Sequence, residues 1–205
     1  MKAREEILAR ISAANVAVPT TPVQREYVHD RQLPDRLGHF VERVEDYKAT
    51  VIRTNAEGVA AAVTQCLSQA RSVVVPAGFR KAWLPTKGPD VIRDQPALSN
   101  SELDTIDAVL TSAVVGIAVT GTIVLDHTQG QGRRALTLVP DLHVCVITAD
   151  QVVGDVPESV GRLAKTVGNG RPLTWISGGS ATSDIELQRV EGVHGPRTLC
   201  VVLVQ

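Results

Sequence analysis

The sequence predicts an α/β fold in which helices cover a largely parallel sheet. Three observations carry that expectation. Short continuous apolar runs, Val73-Val74-Val75 and Thr198 to Val204 among them, lack the alternation of a half-exposed strand and suit strands buried on both faces. Between such runs lie segments with apolar residues at helical spacing, as at Val59, Ala62, Val63, Cys66 and Leu67. Strand, helix and strand follow one another between Ala49 and Pro76, the order of a βαβ unit with parallel strands.

Taken in order, Lys2 to Ala14 reads as a short amphipathic helix with Ile7, Leu8 and Ile11 on one stripe. Asn15 to Pro34 reads as irregular, punctuated by Pro19, Pro22 and Pro34. Residues 1–36 are therefore expected to form a helix and an extended arm, which either hugs the surface or docks on a partner, and residues 37–205 the α/β domain. Leu37, Phe40, Val41, Val44 and Tyr47 make a helix, and Ala49 to Arg53 a strand. Thr54 and Glu57 have capping-box spacing and open a helix through Ala70. Ser72 to Pro76 is a strand, Phe79 to Leu84 a helical turn, and Val91 to Arg93 a strand. Ser101 and Asp104 cap a short helix. Ala113 to Ala118, Gly121 to Leu125, Leu136 to Val139 and His143 to Thr148 are expected strands. Val156 to Val167 is helical, and Leu173 to Ile176 and Thr198 to Val204 close the chain as strands.

Composition excludes several classes. The formal net charge is −1, so no global field recruits nucleic acid or an anionic membrane, and 3% aromatic residues leave little stacking surface for single strands. No apolar run reaches the roughly 18 residues of a membrane span, and the charged start, Met1 to Glu6, lacks a signal-peptide core. A cytoplasmic protein is expected. Cys66, Cys145 and Cys200 are scattered among apolar residues with no C-x-x-C pair, so no metal or cluster site is expected on this chain, and an odd count argues against a disulfide framework. No GxGxxG, P-loop or G-x-S-x-G is present, which leaves dinucleotide, nucleotide and α/β-hydrolase readings unsupported.

Chemistry concentrates late in the chain. Leu173 to Ile176 runs into Ser177-Gly178-Gly179-Ser180-Ala181-Thr182-Ser183-Asp184-Ile185-Glu186. Ser183 and Glu186 again have capping-box spacing, so a helix is expected to open there, with Asp184 in its first turn near the positive dipole end. Strand, Gly/Ser turn and helix N-terminus together make either an anion site or simply a tight connection. Ser177, Ser180 and Thr182 are the candidate anion ligands of that turn. Gly192-Val193-His194-Gly195-Pro196-Arg197 follows. His194 is the candidate general acid/base, approachable between glycines and of the residue type whose unperturbed pKa lies near neutrality, or else a residue that ties down a turn. Arg197 can pair with Asp184 or with a ligand. Gly116 and Gly121 mark a bulge or a close backbone approach, and Thr120 and Thr122 beside them offer hydroxyls to a substrate oxygen. Arg133 and Arg134, after Gly130-Gln131-Gly132, suit bidentate binding of a carboxylate or phosphate. His127 and His143 lack a companion at metal-ligand spacing, and His143 reads as a strand-edge residue.

The run Ser177 to Glu186, with Gly192 to Arg197 behind it, resembles the C-terminal signature of the lactate-utilisation (LUD-domain) family. Gly116-Ile117-Ala118-Val119-Thr120-Gly121-Thr122 and Gly132-Arg133-Arg134 are similar to its middle signature. The likeness is nearest to the protein C branch. It implies the NagB/RpiA/CoA-transferase-like fold and a subunit of a system that oxidises L-lactate to pyruvate, with the iron–sulfur clusters on partner subunits. On that reading the chain binds an organic-acid anion or docks on those partners. Thr120, Thr122, Arg133, Arg134, Ser177, Ser180, Thr182, Arg197 and His194 are its expected site, and Ser183, Asp184 and Glu186 are structural. A stand-alone enzyme acting on a phosphorylated or CoA-linked molecule, and a non-catalytic assembly protein, remain as alternatives.

Overall fold

The structure, a computed structural model, describes residues 3–14, 22–24, 26, 28, 31–183 and 189–205. Helix α1 (Ala3–Ala14) forms as expected, but none of its residues is buried. Helix α2 (Arg36–Asp46) is started by Asp35, whose side chain accepts the Gly38 N–H, and it buries Phe40 and Val44. Strand β1 (Thr50–Thr54), helix α3 (Val59–Cys66) and strand β2 (Ser72–Val75) follow, then β3 (Asp90–Arg93), α4 (Asn100–Leu103) and β4 (Ala108–Ser112). The middle of the chain is β5 (Val115–Ile117), β6 (Thr122–Leu125), β7 (Leu142–Thr148) and β8 (Val152–Val153). Helix α5 (Val156–Gly168), β9 (Thr174–Ile176), β10 (Ala181–Ser183), β11 (Arg189–Glu191) and β12 (Thr198–Val204) complete it.

Six strands form one sheet in the order β1-β12-β7-β4-β2-β3, and every neighbouring pair is parallel. The α/β prediction holds, and β1 and β2 are parallel members of one sheet, although three strands lie between them. A smaller sheet, β8-β5-β6-β9, is mixed. The period of two along the central strands sorts the core. Val144 and Val146 of β7 and Cys200 and Val202 of β12 face α3, packing with Val59, Val63 and Leu67. Cys145 and Ile147, with Val201 and Leu203, face the other way and pack with Phe40 and Val44 of α2 and with Ile123 and Leu125 of the small sheet.

Several local expectations are corrected. The Thr54/Glu57 box does not form; the helix begins at Val59 behind Gly58, whose N–H is taken by the Asn55 side chain at 2.9 Å, and it ends at Cys66. The box on α4 lies at Ser99 and Glu102 and not at Ser101 and Asp104. Leu136 to Val139 is no strand: a 3-10 turn spans Arg134–Thr137. Cys66 and Cys200 are joined as a disulfide against the cysteine expectation, while Cys145 is a buried free thiol. The close approach expected at Gly116 and Gly121 is present. A Cβ on Gly121 would lie 2.5 Å from the Arg43 carbonyl carbon, and one on Gly116 would lie 2.8 Å from Ile147 Cδ1.

The expected helix at Ser183 is replaced by an antiparallel hairpin. Ala181 pairs with Glu191, Thr182 with Val190 and Ser183 with Arg189. Ser183 thus ends a strand, and the helix expected to follow it falls outside the described residues. Asp184 and Glu186 lie outside the described residues.

Candidate functional site

The amino ends of the central strands carry a cavity of about 250 Å³. Its lining includes Arg134, His143, Trp175, Ser177, Ser180 and His194. Each arrives from a different local device.

His143 is the second residue of β7 and is 1% exposed. It shares the face of Cys145 and Ile147 by alternation. Its Nε2 lies 2.8 Å from Thr111 Oγ1 on the neighbouring β4. The residue itself lines the cavity. Burial, and secondarily the Arg134 charge, push its pKa down to about 4, so the ring is neutral at neutral pH. The residue is central in the sheet, which corrects the strand-edge reading. The sequence signal was present: it is the one ring-bearing polar residue within the otherwise apolar run Leu142 to Ile147.

Arg134 opens the 3-10 turn and is exposed at the cavity rim. Its Nη1 donates to the Thr137 carbonyl and to Thr137 Oγ1, both at 3.0 Å, which aims the guanidinium. Partial burial lowers its pKa from the ordinary value. A cation that has lost part of its water shell gains more from an arriving anion than a fully solvated one does.

Ser177 follows β9. Its Oγ lies 2.7 Å from Thr122 Oγ1, which lies 2.7 Å from Thr120 Oγ1. Three hydroxyls from the middle and late signatures thus form one chain ending at the cavity wall. Ser180 anchors the opposite wall: its N–H donates to the Pro196 carbonyl at 2.7 Å, its carbonyl accepts the Gly192 N–H at 2.8 Å, and its Oγ accepts the His194 N–H at 3.0 Å. Gly179 fits there because a Cβ would sit 2.3 Å from the Arg197 carbonyl oxygen. His194 itself is exposed, with its backbone held by Ser180 and its ring at the rim.

Other expected residues go elsewhere. Arg133 lines a different cavity, with Nε and Nη2 on the two Asp94 oxygens at 2.9 and 3.0 Å and a further bond to the Leu98 carbonyl. Arg197 reaches Asp141 at 3.7 Å, over a neighbouring depression that also borders Asp104 and Asp107. Thr182 pairs with Val190 in the hairpin. His127 bridges the Gly132 carbonyl at 2.7 Å and Thr174 Oγ1 at 2.9 Å, a structural tie. Among the described residues no cluster of three His, Cys, Asp or Glu is placed to hold a metal ion.

The cavity combines a directed guanidinium, oriented hydroxyls, a neutral buried imidazole and a solvent-facing imidazole. That set suits a small carboxylate bearing a neighbouring oxygen.

Comparison with known proteins adds to the geometry. The sequence model of the LUD domain matches residues 99–204. Lactate utilization protein C of Deinococcus radiodurans is 55% identical over 168 residues, which are 82% of this chain and 79% of that protein. Lactate utilization protein C of an Exiguobacterium species is 27% identical over 98% of this chain and 95% of its own length. The crystal structure of a DUF162 family protein from Deinococcus radiodurans aligns with a TM-score of 0.75 and 46% identity, covering 90% of this chain and all of that one.

Proposed function

This chain belongs to the LUD domain family, and on that premise we propose that it serves lactate utilisation by holding a small 2-hydroxy or 2-oxo acid anion in the amino-end cavity. The observation that carries the reading is the placement of Arg134 at the rim of a cavity whose wall includes the neutral His143. The substrate carboxylate meets the Arg134 guanidinium. Ser177 Oγ, oriented through Thr122, and Ser180 Oγ supply the remaining polar contacts. His143, as a lining residue, is placed to bond the substituent oxygen through its ring. A neutral imidazole here adds no charge to compete with Arg134 for the carboxylate. His194 stands at the solvent side of the cavity. The redox chemistry would be supplied by iron–sulfur partner subunits, and this chain's own residues would serve to position the acid.

The alternative of a phosphate cradle at a helix N-terminus loses its support, because the Ser177–Ser180 turn leads into a hairpin. Calorimetric titration of the full chain with L-lactate and with pyruvate tests the proposal. Binding of either acid that is weakened at least tenfold by Arg134→Ala, about 1.4 kcal/mol, supports it. Absence of binding, or binding indifferent to Arg134, overturns it. Docking is tested separately, by co-elution of iron with the chain after mixing with purified cluster-bearing subunits of the lactate system.

A further inference from the structure

We propose that the carboxyl end of the large sheet holds a second anion site, built from Arg171, Arg133 and the loop 127–133, and distinct from the cavity at the amino end. From β2 the chain continues to β3 on one side, and from β4 it continues to β7 on the other, yet β2 and β4 are neighbours. Their carboxyl ends therefore flank a switch point, where two connections part and leave a crevice that open parallel sheets use for ligands.

The loop after β6 is drawn into that crevice. Gly130 bridges the two strand ends: its N–H donates to the Ala77 carbonyl beyond β2 at 2.9 Å, and its carbonyl accepts the Ser112 N–H at the end of β4 at 2.8 Å. The positive φ of Gly130, 79°, and of Gly132, 73°, lets the loop fold back over the strand ends. Gln131 and Thr128 then lock onto the buried Asp126: Gln131 Nε2 and Thr128 Oγ1 donate to its Oδ1 at 2.7 and 2.6 Å. The result is a preformed loop.

Behind the loop lies a cavity of about 500 Å³, lined by Pro76, Ala77, Gln129, Gly132, Arg133 and Arg171 with their neighbours. It shares no lining residue with the amino-end cavity and is twice its size. Arg133 is fixed there by the fork of bonds to Asp94, so its orientation costs no further ordering when a ligand arrives. Arg171, beyond α5, has an exposed side chain with no partner among the described residues. Among the lining residues, His127 is held by two hydrogen bonds and Asp94 offsets Arg133, which leaves Arg171 as the unpaired cation of the lining, while the buried Asp126 carboxylate lies behind the loop on the Gln131 and Thr128 donors. The fitting ligand is an organic anion with one acidic headgroup, carboxylate or phosphate, and a polar body larger than a three-carbon acid.

The test uses the full 15N-labelled chain, titrated separately with sodium phosphate and sodium acetate at constant ionic strength. Saturating amide shifts at Ala77, Gly78, Gly132 and Arg171 with one of the two anions are expected, and the responding anion identifies the headgroup. Arg171→Ala should weaken that response at least tenfold and leave L-lactate shifts at Ser177 to Ser180 in place. No saturating shift at this loop with either anion overturns the second site. So does a midpoint that Arg171→Ala leaves unchanged, or one that moves only with Arg134→Ala. Because L-lactate is followed at other amides, failure here is distinguishable from failure at the amino-end cavity.

Discussion

Arg133 and Arg134 are consecutive in the chain, yet their guanidinium groups line two cavities at opposite ends of the large sheet. Arg133 grips Asp94 through both carboxylate oxygens, and that bond holds the Asp94 pKa below the usual carboxylate range. The pair ties the loop after β3 to the loop before the 3-10 turn. Asp94→Asn should therefore cost about 1 to 2 kcal/mol, less than a fully buried pair because the guanidinium is partly open. Arg133→Lys should cost a similar amount, since an ammonium cannot reproduce the fork. The contribution is present above the ordinary carboxylate pKa and is lost as pH falls through the depressed one, so it survives at pH 5. Denaturant midpoints at pH 7 and pH 5 check both points, and equal midpoints for wild type and variants would remove the pair from the stability account.

His143 makes the protein sensitive to acid in a different window. Its folded pKa of about 4 lies below the ordinary value of 6.5, so the unfolded chain binds more protons between the two. Stability is then full above pH 6.5 and declines as pH falls, by about 3 kcal/mol over the whole window and about 2 kcal/mol by pH 5. His143→Gln removes the titrating group. Its pH dependence between 7.5 and 5 should be flatter than that of the wild type, whatever its stability at pH 7.5. Parallel curves for the two proteins would show that the ring is not the acid-sensitive group.

The legible parts of the fold are those decided locally or by burial on both faces. β2, β7 and β12 are apolar but for Ser72, His143, Thr148 and Thr198, and α2 and α5 carry helical spacing, so each is readable from its own residues. β4 escaped because Ala108 to Leu125 is one nearly unbroken apolar stretch, and only pairing of Ala108 to Ser112 with β7 separates a strand within it. Spacing at Ser183 pointed to a helix start, but Ser180 exchanges backbone bonds with Gly192 and Pro196, and that pairing across the chain draws Ala181 to Ser183 into a strand. Of the residues that line the amino-end cavity, Ser177, Ser180, Arg134 and His194 stand in stretches that the sequence singles out. His143 stood out as a polar ring in an apolar run, but its place in the cavity was not readable, because its Thr111 partner comes from a strand 32 residues away. The division of labour between Arg133 and Arg134 was equally invisible, since it depends on where Asp94 lies.

Gly121 offers a test of close packing between α2 and the small sheet. Its φ is 60°, and an added Cβ would lie 2.5–2.6 Å from the Arg43 carbonyl and the Val44 nitrogen, which are backbone atoms that cannot swing aside. Gly121→Ala should destabilise by roughly 2 to 4 kcal/mol through strain and overpacking together. For a chain of this size that corresponds to a drop in Tm of roughly 5 to 15 °C. Thermal unfolding followed by circular dichroism measures it, and an unchanged Tm would mean that α2 shifts freely away from the turn.

The hydroxyl chain predicts a change in binding with little change in fold. Thr122 is 5% exposed and joins Thr120 to Ser177, with both contacts at 2.7 Å. Thr122→Val keeps the shape of the side chain and the strand preference but removes the oxygen. The Thr120 hydroxyl is half-buried and the Ser177 residue is exposed, so each can turn to water and the cost in stability should stay near 1 kcal/mol. Ser177, however, loses the partner that orients its Oγ toward the cavity. The affinity for L-lactate should then fall by a few-fold, less than for Arg134→Ala, because a neutral hydroxyl contributes less to a carboxylate than a guanidinium does. Ser177→Ala in the Thr122→Val background should add almost nothing further, since the two act as one unit. Full additivity of the two substitutions in a double-mutant cycle would show that Ser177 reaches the acid without help from Thr122.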